Sequence, residues 1–186
     1  EHARSRGALT IAFTHELGSP LAEAAEYVIG YQHGPEKREN YVAPHLLLRF
    51  LARVLDAVEG SSRTSAIDDA VAKMETIIPA AKSAHAERAN QWGFEYRREP
   101  LIYTMAAGTN YGAAYSFAVC LLQEMQWIHS ACIHSGEYFH GPFEITDTDI
   151  PFIALLGMDE TRPVEQRAVD FLEKYSRRAL VVDAKE

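Results

Sequence analysis

Glu124 and His140 are the strongest pair of proton-transfer candidates in the chain, and both fall inside one dense stretch, QEMQWIHSACIHSGEYFHGPFEIT, over residues 123–146. A carboxylate and an imidazole are well suited to taking a proton from one substrate atom and returning it to another. The stretch reads as a helix with a short break. Unbroken, a helix rising ~1.5 Å per residue would hold the two groups about 24 Å apart, too far to share a substrate. Either the chain folds back at Ser135-Gly136, where glycine permits the turn, or one of the two residues serves the site of a neighbouring subunit.

Each candidate has a plainer alternative. Glu124 is flanked by Leu121, Leu122, Met125, Trp127 and Ile128; partial desolvation there would suit a general base, whereas a place on the polar face would make it an ordinary surface residue. His140 precedes Gly141-Pro142, which would fix an imidazole, and it reads equally as a structural histidine bonded to backbone. His129, Cys132, His134, Glu137 and His140 are all potential metal ligands, but their spacing matches neither HExxH nor paired CxxC, and no metal is expected. Glu137 could contact a substrate or serve as a cap or ion-pair partner. His134 and Ser135 could do the first or simply end the helix. Gly108 and Gly112, between a strand and a helix, could bring backbone donors to an anion or only permit a tight turn. They form neither GxGxxG nor a Walker pattern, and Ser130 and Ser135 lack a GxSxG elbow.

These residues must be held by the elements around them. Residues 101–106 read as a strand, 107–110 as a small-residue turn, 111–129 as a helix, 130–146 as a broken element, 151–156 as a strand, 162–177 as a helix and 179–182 as a strand. Strands alternating with helices define an α/β fold, a parallel sheet flanked by helices, whose ligands bind beyond the carboxyl ends of its strands. Upstream, 1–6 reads as the last turn of a helix stopped by Gly7, 9–13 and 27–31 as strands, and Ser19-Pro20 as a helix start. Residues 33–40 read as a polar linker. Leu47, Phe50, Leu51, Val54, Leu55 and Val58 repeat at helical spacing up to Gly60, and 65–92 forms a second helical segment that Pro79 should kink or divide.

With 186 residues, 47% hydrophobic and 24% charged, the chain is globular in composition. A net charge of −8 without a basic, aromatic-interleaved stripe argues against nucleic-acid binding, and an anionic substrate would need a local positive site. No apolar run reaches the ~18 to 20 residues that cross a bilayer, and no leader-like start is present, so no membrane association and a cytoplasmic location are expected. Cys120 and Cys132 are too few for a disulfide framework and read as reduced core residues. Trp92, Trp127, Tyr138 and Phe139 read as packing or interface groups. Opening without Met and closing directly after a strand, the sequence reads as an excised piece of a longer protein.

The element Ser135-Gly136-Glu137-Tyr138-Phe139-His140-Gly141-Pro142 resembles the SGExxHGP element of sugar isomerase (SIS) domain proteins, in which a preceding helix carries a catalytic Glu and the element a catalytic His. YGAAY, the whole EMQWIHSACIHSGEYFHGPFEIT run and an RAxxFLxxY spacing resemble the SIS deglycases, which hydrolyse 6-phosphorylated sugar–amino acid adducts of the fructose-aspartate, fructoselysine and glucoselysine types. The similarity is strong over residues 100–186 and weaker before. It implies an SIS-type, flavodoxin-like sheet with additional connecting helices: residues 1–36 as the end of a first SIS domain, 37–99 as connecting helices and 100–186 as a second SIS domain lacking its C-terminal tail. It further implies Glu124 as base, His140 as ring-opening acid, Glu137, Ser135, His134 and Gly108 as substrate contacts, no cofactor, and a homodimer with a shared site. A Ser/Thr-rich phosphate grip would lie upstream of the sequence. The alternatives are an aldose–ketose phosphosugar isomerase and a non-catalytic phosphosugar-binding regulator.

Overall fold

The computed structural model describes residues 2–186, which divide into two compact units, one ending at Ser83 and the other Ala84–Glu186. In the first, after a short helix α1 (His2–Ser5), strand β1 (Ile11–Thr14) pairs in parallel with β2 (Tyr27–Gly30) across helix α2 (Pro20–Ala24). The Ser19-Pro20 start behaves as its sequence requires, the Ser19 hydroxyl accepting from the Ala22 N–H at 3.4 Å. Helix α3 (Ala43–Glu59) ends at Gly60 in the left-handed conformation, φ 69°. Asp56 then caps the next helix, α4 (Arg63–Tyr96), accepting from the Arg63 and Thr64 N–H groups at 2.8 Å each. These bonds and the Ser61 hydroxyl hold its carboxyl well below the usual carboxylate range.

Pro79 does not divide α4, which runs 34 residues through it. Proline removes one donor and crowds one carbonyl, a local cost that the many intact turns on either side outweigh. The change of unit falls a few residues beyond it, inside the helix.

The second unit contains β3 (Leu101–Ala106), α5 (Tyr111–Ser116) continuing as a π-helix (Phe117–Met125), β4 (His129–His134), two 3-10 turns (Tyr138–His140 and Pro142–Ile145), β5 (Phe152–Leu156), α6 (Arg162–Tyr175) and β6 (Ala179–Asp183). All four strands are parallel, in the order β4-β3-β5-β6. One face buries Met105, Ile133, Tyr138, Phe152, Leu156 and Leu172 together, and the other Ile102, Leu122, Ile128 and Ile153. Successive residues of β5 therefore serve opposite cores, as both-sided burial of a parallel sheet requires.

Between β3 and the 3-10 turns the structure corrects the sequence reading. The π-helix ends at Met125, and residues 129–134 form a parallel strand, where a helix running to His129 and then a broken element were expected. Trp127, at φ 59°, makes the turn between them. The ladder closes on wide rings there, the Gln126 N–H bonding the Leu121 carbonyl at 3.0 Å and the Ile128 N–H the Leu122 carbonyl at 2.9 Å. Cys120 is exposed and Cys132 half-buried, and both are free, so neither is the core residue expected.

The last strand is clamped by Arg162, which donates to both oxygens of Asp183 at 2.7 and 2.6 Å and to the Gly157 carbonyl at 2.7 Å. The guanidinium brings Asp183 down to about 2 from 3.8. A depressed carboxyl binds its proton later in the folded chain than in the unfolded one, so its stabilisation is present above about 3.8 and is lost as pH falls toward about 2. Melting temperature should drop across that window in the wild type. Asp183→Asn should start lower at neutral pH and lack that component of the acid loss; parallel curves would remove the clamp from the account.

Candidate active site

The segment carrying His140 is anchored by its neighbours. Tyr138 is 0% exposed, and its hydroxyl meets the Thr146 hydroxyl at 2.5 Å. Phe139 packs edge-on to Phe171 with ring centroids 5.6 Å apart, beneath the Arg167 guanidinium at 4.2 Å. With Tyr138 and Phe139 turned inward, the 3-10 turn presents His140 to solvent. Its Nδ1 lies 3.7 Å from Glu137 Oε2, with both side chains about three quarters exposed. Water screens such a pair, so the contact adds little to the stability of the fold.

His134 and Ser135 have structural duties. The Gly136 N–H donates to His134 Nδ1 at 3.1 Å, which leaves Nε2 to carry the proton of the neutral ring. The Ser135 N–H donates to the Ala106 carbonyl at 2.9 Å, prolonging the β3–β4 pairing, and the residue is only 2% exposed. A substrate contact expected of Ser135 therefore finds no surface to use in this chain.

Glu124 sits in the last turns of the π-helix, next to Gln123, whose side-chain amide donates to the Ser130 carbonyl and ties the helix end to β4. Glu124 itself is exposed. The apolar surroundings expected for it are present but open: Leu121 is 40%, Met125 65% and Trp127 90% exposed. Trp127 thus stands almost wholly clear of the described residues.

The structure does not bring Glu124 and His140 together. The helix returns from the carboxyl end of β3 to the amino end of β4, and His140 follows the carboxyl end of β4, whose six residues cover ~20 Å at about 3.3 Å each. The chain does turn at Ser135-Gly136, but beyond a strand that has already separated the two groups.

Gly108 lies in the turn after β3 with φ 50°. A Cβ there would stand 2.5 Å from both Asp159 Oδ2 and Thr161 Oγ1, so only glycine admits this approach. The anion at the turn is Asp159, which accepts from the Thr109 N–H at 2.9 Å and hydroxyl at 2.8 Å, and from the Thr161 N–H at 2.9 Å and hydroxyl at 2.5 Å. These bonds hold its carboxyl well below the usual range. Deeper in, Glu165, 1% exposed, accepts from the Ala107 N–H at 2.9 Å and the Gly157 N–H at 2.7 Å. Sequence reading missed both carboxylates. The available signal was Asp159-x-Thr161 just after a strand, an Asx-turn pattern.

An apolar cavity of about 600 Å³ in the same unit is lined by Trp92, Tyr96, Phe117, Leu122, Ile153 and Leu180 among others. Neither Glu124 nor His140 reaches it, and its lining offers no carboxylate or imidazole for proton transfer. Among the described residues no three His, Cys, Asp or Glu side chains converge as a metal site, and no helix is long and apolar enough to cross a membrane.

This parallel sheet between helices is the fold of the SIS phosphosugar proteins. A solved structure from Bacillus subtilis, described as a candidate phosphosugar isomerase, superimposes with a TM-score of 0.94 at 44% identity over 99% of this chain and 56% of that one. Among curated proteins, the chain is 44% identical over 182 residues to fructosamine deglycase FrlB of Bacillus subtilis, covering 98% of this chain and 56% of the relative. It is 32% identical over 188 residues to the fructoselysine 6-phosphate deglycase of Escherichia coli K12, covering all of this chain and 54% of the relative. No family model matches the chain. The chain spans roughly half the length of the curated relatives it matches. Over that half it is similar in sequence to these deglycases and shares the SIS fold.

Proposed function

We propose that the full-length protein is a deglycase that hydrolyses a 6-phosphorylated Amadori-type sugar–amino acid adduct to hexose 6-phosphate and the free amino acid. The similarity to two named deglycases over essentially the whole of this chain carries the reading. His140 assists opening of the sugar ring. Glu124 then takes the proton from the carbon bearing the amine, giving an enaminol that is reprotonated at the next carbon. The resulting imine is hydrolysed by water. Glu137 and His134 flank the reacting sugar, and no cofactor enters the steps.

The two groups act at one site when they come from two copies of the chain. In support, β4 separates them within one chain, and Glu124 stands in an exposed apolar surround that a second copy would cover. Cover of that kind also supplies the desolvation a general base needs. A cytoplasmic homodimer fits this chemistry and the acidic composition.

Product analysis tests the proposal. Incubation with the 6-phosphates of fructoselysine, glucoselysine and fructose-aspartate should release free amino acid and hexose 6-phosphate from one of them. Interconversion of hexose phosphates without amino acid release would establish an isomerase, and binding without turnover a regulator.

A further inference from the structure

In an open parallel sheet the ligand crevice lies where the connections from two neighbouring strands diverge. Here the chain leaves β3 toward β4 on one side and β5 toward β6 on the other, so the divergence falls between β3 and β5. The turn from Gly108 and the loop from Gly157 form the lips of that crevice.

We propose that this crevice is an oxyanion cradle whose anion is Asp159 of the chain itself, so that it is shut to external phosphate while that carboxylate is seated. Two backbone N–H groups and two hydroxyls, from Thr109 and Thr161, converge on the two oxygens of Asp159. Backbone and hydroxyl donors converging in a turn are what proteins present to phosphate and sulfate. An aspartate that merely closes its own loop bonds the residues just after it, as Asp159 does with Thr161. Half of the donors, however, come from Thr109, fifty residues upstream across the crevice. Gly108 is shaped for the same purpose, since any Cβ there would collide with the bound carboxylate. Glu165 pins the base of both lips through the Ala107 and Gly157 N–H groups, so the donors stay in place when the anion is removed.

Asp159→Ala in the full-length protein, with inorganic phosphate as probe and chloride at matched ionic strength as control, tests the cradle. The variant should lose melting temperature and recover part of it with phosphate but not with chloride. Its Thr109 and Thr161 amide resonances should shift saturably at millimolar phosphate while those of the wild type stay fixed, and its gain in melting temperature should exceed whatever phosphate at the substrate site gives the wild type. If the variant is unfolded in buffer, refolding by phosphate and not by chloride, with saturable shifts at Thr109 and Thr161, supports the proposal, and the absence of either overturns it. A folded variant without a phosphate-specific response would reduce Asp159 to a loop lock. Saturable phosphate shifts at Thr109 and Thr161 in the wild type would show that the crevice is open, which also overturns the proposal.

Discussion

Glu124→Gln in the full-length protein should lower turnover of the 6-phosphorylated adduct by about 10² to 10⁴, the usual contribution of one positioned acid–base group. Glutamine keeps the size and polarity of the side chain and removes only the basicity. Because Glu124 is exposed and its carboxylate makes no bond to the rest of the chain among the described contacts, stability should stay within roughly 0.5 kcal/mol of wild type. KM should change little, since the loss falls on the chemical step. His140→Gln should lose turnover for a different reason, failure to open the ring, and a substrate analogue fixed in the open-chain form should rescue His140→Gln but not Glu124→Gln. The separation imposed by β4 adds a sharper test. Mixed dimers of the two inactive variants hold one site with both native residues, so coexpression should restore activity approaching a quarter to a half of wild type, as chain sorting dictates. Near-normal turnover of Glu124→Gln would remove it as the base, and mixed dimers without activity would place both groups in one chain's site.

The fold was legible wherever local chemistry and global packing agreed. Residues 101–106, with β-favouring side chains bounded by Pro100 and a small-residue turn, form a strand over the expected positions. Ser19-Pro20 and Gly60 start and stop helices by cap geometry that a sequence displays directly. The stretch between Glu124 and His140 was illegible for a physical reason. The turn ending the π-helix is made by Trp127 at φ 59°, a conformation that glycine or asparagine usually marks, so no stop signal stands in the sequence. Widening from α to π changes the hydrogen-bond ring by one residue and leaves the apolar spacing nearly helical. Strand β4 has only Ile133 as a β-branched residue, between histidines, small residues and a cysteine. Its pairing with β3 decides its conformation, and that partner lies nearly thirty residues away. The Asp159 and Glu165 bonds reach fifty-odd residues back to the turn after β3. A motif shows that a carboxylate is present, whereas only the folded crevice shows what it binds.

Glu165→Ala should destabilise the Ala84–Glu186 unit by about 3 to 6 kcal/mol, if its two bonds each carry the roughly 1.5 to 3 kcal/mol of a hydrogen bond to a charged group. Glu165 reaches out from α6 and holds the Ala107 and Gly157 N–H groups, which end β3 and β5 at the two lips of the crevice. Alanine leaves both donors buried without an acceptor. Glutamine should recover about half the loss, because one amide oxygen still accepts while its NH2 faces the other N–H. Glu173, exposed on the same helix, is the control, and Glu173→Ala should stay within roughly 0.5 kcal/mol. Hydrogen exchange resolves the effect by position. The Ala107 and Gly157 amides should lose protection first in Glu165→Ala, with Thr109 following, because the donors that hold Asp159 are carried on the same two lips. A uniform loss of protection across β3 to β6 would instead mean that Glu165 supports the core in general and not the crevice. Protection at Ala107 and Gly157 equal to wild type would mean that water replaces the carboxylate at no cost, and the role assigned to Glu165 would fall.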